Sequence, residues 1–238
     1  MSKHGRVMTL PEWRVFDAAE AMVRGLADAL CVEAEAAIAG RGAFHLVLAG
    51  GSTPLTLYRT LADRQAGDVR WQVWYGDERC LPDGDRERNS VMIEAAWLAG
   101  SHIPPENRRP IPVEHGAAEA AVRYAGWLAG AAEFDVVLLG IGEDGHTASL
   151  FPGHDWGAAP DSPDVLAVDA APKPPPERVS LSAARLNRSR QVWFVITGAG
   201  KRDALKRWKC GEVLPVSAVH GRLQTVAWLD AAAWSDGP

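Results

Sequence analysis

The segment Gly140-Ile-Gly-Glu-Asp-Gly-His146 sets a carboxylate, Asp144, two residues before an imidazole, His146. An imidazole titrates near neutrality and can act as a general base, and a neighbouring carboxylate orients the ring and favours its charged form. Gly142 and Gly145 allow backbone angles that other residues avoid, which suits a turn that must aim two polar side chains. The alternative, a loop histidine satisfied by a local hydrogen bond, is disfavoured by those flanking glycines. The apolar run Val136 to Leu139 reads as a strand covered on both faces. The turn therefore lies at the strand's C-terminal end, where open parallel sheets bind ligands.

Three other strand ends carry chemistry-bearing residues. The run Phe44 to Ala49 enters Gly50-Gly-Ser-Thr-Pro54 ahead of a helix. There the N–H groups of Gly50 and Gly51, the Ser52 hydroxyl and the helix dipole can receive a phosphate. Capping of the helix by Ser52 or Thr53 accounts for the same residues. The segment is neither GxGxxG nor GxxxxGK[ST], so a dinucleotide or a nucleoside triphosphate is not expected. The run Val69 to Tyr75 enters Gly76-Asp-Glu-Arg79, where Arg79 can grip an anion as a planar fork and Asp77 or Glu78 can position it or move a proton. A surface salt-bridge cluster is the competing reading. Gln191 to Thr197 enters Gly198-Ala-Gly-Lys201, so Lys201 is either an anion ligand or a solvated helix lysine.

Helices must position these ends. The spacing predicts them over about Asp17 to Ala39, after Pro54 (with Leu55, Tyr58 and Leu61 inward), from Ser90 to Leu98, from Ala117 to Ala131 and from near Lys201. A short strand is expected at Val165 to Val168, and a last one, finishing the sheet, at Thr225 to Leu229. Residues Gly153 to Glu177 read as a long surface excursion, with Pro174-Pro-Pro176 extended or turning. This alternation implies an α/β fold: a single-domain, Rossmann-like three-layer sandwich over residues 1–238, with a mostly parallel central sheet and helices on both faces.

With 47% apolar and 23% charged residues and a formal charge of -5, the 238-residue chain has the balance of an ordinary globular protein. It lacks the basic excess of a nucleic-acid binder, although a local pocket can still hold a small anion. Cys31, Cys80 and Cys210 form no CxxC pair, so no disulfide framework and no metal site are expected, and reduced thiols point to the cytoplasm. The opening Met1-Ser-Lys-His-Gly-Arg6 enters no long apolar run, which argues against a signal peptide. No stretch approaches the ~20 apolar residues of a membrane span. The ten tryptophans are expected to serve packing.

Five segments in this order, Leu48 to Pro54, Gly76 to Pro82 with Arg88-Asn89-Ser90, Leu139 to Pro152, Pro174 to Leu181, and Thr197 to Lys201, resemble the 6-phosphogluconolactonase family across almost the whole chain. They are more distantly similar to glucosamine-6-phosphate deaminases. The ending His146-Thr-Ala-Ser-Leu-Phe-Pro152 looks like the lactonase branch, because deaminases carry an acidic residue a few positions after the histidine, where this chain has Ser149 to Phe151. Asp77-Glu-Arg79 points the same way, deaminases usually having an aromatic third residue. Arg88 departs from the serine that many lactonases place before the asparagine.

The resemblance implies hydrolysis of 6-phospho-D-glucono-1,5-lactone to 6-phospho-D-gluconate in the oxidative pentose phosphate pathway, with no metal and no cofactor. It further implies that His146 is the general base and then the acid, that Asp144 orients it and that Asp77 belongs to the catalytic group. Gly50, Gly51, Ser52, Arg79 and Lys201 would hold the 6-phosphate, and N–H groups of the Gly142 to Gly145 turn are candidate oxyanion donors. Two rivals remain open: a glucosamine-6-phosphate deaminase or isomerase with Asp77 as base, and a non-enzymatic sugar-phosphate sensor. Neither nucleic acid nor membrane is expected as a partner, and oligomeric state is left open. Arg178 is expected to make a structural ion pair first and a substrate contact second.

Overall fold

Strands made mostly of apolar residues need cover on both faces, and they form the middle of the sheet. In the computed structural model, which describes residues 10–234, these are β2 (Phe44–Leu48), β6 (Val136–Leu139) and β9 (Gln191–Ile196). Every residue of β6 is buried. Met1 to Arg6 lie outside the described residues. With β1 (Glu12–Phe16), β3 (Trp71–Tyr75), β5 (Arg108–Arg109) and β10 (Gln224–Asp230), they make a seven-stranded parallel sheet in the order β1-β10-β9-β6-β2-β3-β5.

Alternating residues of β3 show why helices occupy both faces. Trp71 packs edge-on to Trp97, which stacks on Tyr58 of α2 (Ser52–Asp63). Trp74, on the opposite face, meets Tyr124 of α4 (Ala117–Leu128). The helix α1 (Ala19–Arg41) runs two residues beyond the expected Ala39 and ends at Gly42, whose φ of 84° admits the left-handed cap. The remaining helices are α3 (Asn89–Ala96), the single turn α5 (Ala183–Leu186) and α6 (Arg202–Lys209), the last entered through a 3₁₀ turn at Ala199–Lys201.

Besides the two-residue edge strand β5, two features differ from the expectation. The edge strand β1 was not anticipated: Glu-Trp-Arg-Val-Phe is half polar because only one neighbour, β10, covers it. As a result β10 lies inside the sheet rather than finishing it. The second feature is an antiparallel sheet in the order β4-β8-β7, formed by β4 (Asp77–Arg79), β8 (Arg178–Leu181) and β7 (Val165–Val168). The excursion of residues 153–177 thus includes a paired strand, and the antiparallel register sets Arg79 opposite Arg178.

Candidate active site

The C-terminal ends of β2, β3, β6 and β9 converge on a cavity of about 340 Å³. His146, Asp77, Gly50, Gly51, Ser52, Arg79 and Lys201 all line it, so seven of the eight expected residues meet there, and Asp144 stands behind the His146 ring.

Local sterics explain the glycines. A Cβ on Gly142 would fall 1.9 Å from His146 Nδ1 and 2.5 Å from Asp144 Oδ1, so the pair can occupy its position only over a bare backbone. Gly145 turns the chain with φ of 87°, and a side chain there would also collide with Leu214. Within this turn Gly142 N–H donates to the His146 carbonyl and Gly145 N–H to the Gly142 carbonyl. Those two amides are engaged inside the turn, which narrows the expected oxyanion donors to Glu143 and Asp144.

His146 Nδ1 and Asp144 Oδ1 are 2.5 Å apart, and the imidazole packs on the Phe151 ring at 4.9 Å between centroids. Burial lowers the His146 pKa below its ordinary value, against the opposing pull of the Asp144 hydrogen bond and charge. Burial works to raise the Asp144 carboxyl, yet the His146 hydrogen bond and charge, with Lys173 behind them, hold it below the usual carboxylate range. The outcome is a carboxylate beside a neutral imidazole that lines the cavity, with its Nδ1 engaged by Asp144.

Asp77 is buried, and its two oxygens accept from Ser149 Oγ at 2.6 Å and Asn89 Nδ2 at 3.1 Å. Glu78, the other carboxylate of the Asp-Glu-Arg segment, has a structural task. It is fully buried and accepts the N–H groups of Arg79, Asn89 and Ser90 at 2.7–2.8 Å, anchoring the start of α3. Arg88 is buried near it and reaches Asp83 and Glu114.

The loop after β2 presents the N-terminus of α2 to the cavity. Gly51 is the N-cap, with φ of 107°, and neither Ser52 nor Thr53 caps by its side chain, so the capping reading of these residues does not hold. Thr53 instead meets the Thr197 hydroxyl at 2.6 Å, tying this loop to the end of β9. Arg79 donates to the Glu87 carbonyl at 3.1 Å and lies 3.6 Å from its carboxylate.

Two residues of the site, Asn89 and Lys173, were missed in the sequence reading, and a third, Arg178, was expected to make an ion pair first and a substrate contact second. Asn89 Oδ1 would lie 1.9 Å from a Gly50 Cβ, so its amide joins the glycine loop to Asp77. The Arg88-Asn89-Ser90 match was its only signal. Lys173 arrives on the excursion, with Nζ 3.7 Å from Asp144 Oδ1. Arg178 lines the cavity without the expected ion pair: among the described residues its guanidinium donates to the carbonyls of Lys173, Pro174 and Pro175.

A parallel α/β sheet with a glycine loop and an Asp/His pair gathered at its strand ends is the build of a small-molecule enzyme. Residues 17–228 match the family described as glucosamine-6-phosphate isomerases/6-phosphogluconolactonase, and the chain belongs to that family. It is 35% identical to 6-phosphogluconolactonase of Streptomyces coelicolor over 240 aligned positions, covering 92% of each chain. It is also 35% identical to 6-phosphogluconolactonase of Mycobacterium tuberculosis, covering 92% of this chain and 96% of the relative. The crystal structure of 6-phosphogluconolactonase from Thermotoga maritima superposes with a TM-score of 0.85 at 26% identity, covering 93% of this chain and all of that one. A monomeric glucosamine-6-phosphate deaminase shares the fold at a TM-score of 0.78 and 18% identity. No helix among the described residues is long and apolar enough to cross a membrane. Relatives include an endoplasmic bifunctional protein of Oryctolagus cuniculus and a chloroplastic protein of Arabidopsis thaliana.

Proposed function

We propose that the protein hydrolyses 6-phospho-D-glucono-1,5-lactone to 6-phospho-D-gluconate in the oxidative pentose phosphate pathway. The observation that carries this is the half-buried Asp144/His146 pair at a cavity whose other walls supply Arg79, Lys201 and the N-terminus of α2. The cation-bearing cavity on a chain of net charge -5 supports a phosphorylated substrate, and the 35% identity to two lactonases supports the lactone.

In this reading the 6-phosphate sits against Gly50, Gly51 and Ser52 with Arg79 and Lys201 as counter-charges, which fixes C1 at His146. His146 Nε2 takes a proton from water as its oxygen bonds to C1. The resulting oxyanion is met by amide N–H groups of the Glu143-Asp144 turn. Collapse breaks the bond from C1 to the ring oxygen, and the imidazolium returns its proton to that oxygen. Asp144 holds the ring and favours the transient imidazolium. Asp77, fixed by Ser149 and Asn89, adds a second negative charge toward the same ring. The free thiols of Cys31, Cys80 and Cys210 support a reducing compartment, the cytoplasm.

The test generates the lactone in place with glucose-6-phosphate dehydrogenase and follows NADPH from 6-phosphogluconate dehydrogenase. Added protein should speed the second NADPH phase beyond spontaneous hydrolysis. No acceleration by folded protein, with ammonia released from glucosamine 6-phosphate instead, would replace this reading by the deaminase one.

A further inference from the structure

The excursion of residues 153–177 delivers Lys173 to the catalytic pair, and the delivery is built rather than incidental. Arg178 donates through Nη2 to the Lys173 carbonyl at 3.2 Å and the Pro174 carbonyl at 2.9 Å, and through Nε to the Pro175 carbonyl at 3.0 Å. Three consecutive carbonyls are thus gripped by one planar, rigid group. The same guanidinium lies 5.6 Å from the Phe151 ring, against which the His146 imidazole packs. At the far end of the segment Lys173 Nζ lies 3.7 Å from Asp144 Oδ1, the oxygen that His146 Nδ1 contacts at 2.5 Å. Arg178, the proline segment, Lys173, Asp144, His146 and Phe151 close a ring of contacts around the pair.

We propose that Lys173 is a positioning residue for the catalytic base: clamped by Arg178, it keeps Asp144 ionised and His146 in the neutral form that can accept a proton. This rests on the lactonase reading above. The charges around the imidazole show the need. Asp144 from its own turn and Asp77 from β4 both favour imidazolium, which cannot act as a base. Lys173 is the cation set against them from the excursion, and Arg207 of α6 is close enough to feel Asp144. The His146 pKa is lowered chiefly by burial, with the Asp144 hydrogen bond and charge opposing and the Lys173 charge adding to the depression. Lys173 is about half exposed, so its influence is moderate and screened by salt.

The experiment titrates the His146 imidazole by nitrogen-15 NMR in the wild type, Lys173→Met and Lys173→Arg, and measures kcat and KM for lactone hydrolysis alongside. Lys173→Met should move the His146 midpoint to higher pH. At pH below the wild-type midpoint it should lower kcat by up to about fivefold, the range of a part-exposed ion pair, with KM held within about twofold. Lys173→Arg should restore both readings. An unmoved midpoint, or a rise in KM with kcat unchanged, would overturn the proposal, the second by making Lys173 a ligand of the substrate's anion. The NMR titration needs no substrate, so it still reads if the wild type fails to hydrolyse the lactone and the lactonase reading falls.

Discussion

The strand β6 has an aspartate near each end, and each aspartate sits beside a histidine. Before the strand, Asp135 accepts Arg41 Nη2 at 2.5 Å and the backbone N–H of His45 at 2.8 Å, with Arg190 Nε 3.9 Å away. After the strand, Asp144 meets the ring of His146 instead. Both imidazoles are pushed below their ordinary pKa chiefly by burial, so neither the residue types nor the direction of the shift tells the two ends apart. The difference is which atom the carboxylate touches and what lies beyond it. Asp135 is committed to arginines and a backbone amide, and the buried Nδ1 of His45 has no hydrogen-bond partner among the described residues. Asp144 leaves its histidine with one nitrogen held and a cavity in front. The first end is a lock between strands, and the second faces the cavity.

That contrast can be broken most sharply at the histidines. Replacing His146 with Ala should cut turnover by about 10²–10⁴-fold while the circular dichroism spectrum and urea midpoint stay near wild type. Replacing His45 with Leu should leave turnover within about twofold; similar losses from both would erase the distinction. Asp144→Asn comes next. It retains the size of the side chain but loses the charge that holds the ring, and kcat should fall on the order of 10-fold or more with KM little changed. At the other end Asp135→Ala should cost about 2 kcal/mol in urea denaturation, below the range for a fully buried pair because Arg41 is part exposed, with kcat intact.

The smallest effect concerns pH. Above 6.5 His45 is neutral in both folded and unfolded chains and contributes nothing to the pH dependence of stability. Below 6.5 the unfolded chain takes the proton first, because burial lowers the folded value, and stability declines as pH falls through that interval. His45→Leu removes this decline. The difference in stability between variant and wild type should therefore shift in the variant's favour between pH 7 and about pH 5.5, measured by urea midpoints. A difference independent of pH would show that His45 is not held neutral.

The legible part of the molecule is where a local signal suffices. Val136 to Leu139 is apolar without a break and stops at glycine, so the strand, its end and the Asp144/His146 turn could be read together. The same held for the glycine loops after β2 and β9. Illegible were the residues whose role depends on a distant partner. Arg178 faces Arg79 only because β4 and β8 pair antiparallel, and Lys173 reaches Asp144 only because Arg178 grips the prolines between them. Asn89, at the start of α3, packs on Gly50 in the loop after β2. The strand β1 failed for a different reason: an edge strand covered by one neighbour needs no apolar run, and Glu12 and Arg14 pair with each other at the surface.

The central claim is that a neutral His146 is the base, and its most direct test is kcat/KM for lactone hydrolysis against pH, in the wild type and His146→Ala, with the spontaneous rate subtracted. The wild type should lose activity on the acid side along a limb whose midpoint lies below 6.5, and that limb should vanish with the histidine. A limb that persists in His146→Ala, or a wild-type profile flat through this region, would contradict the account.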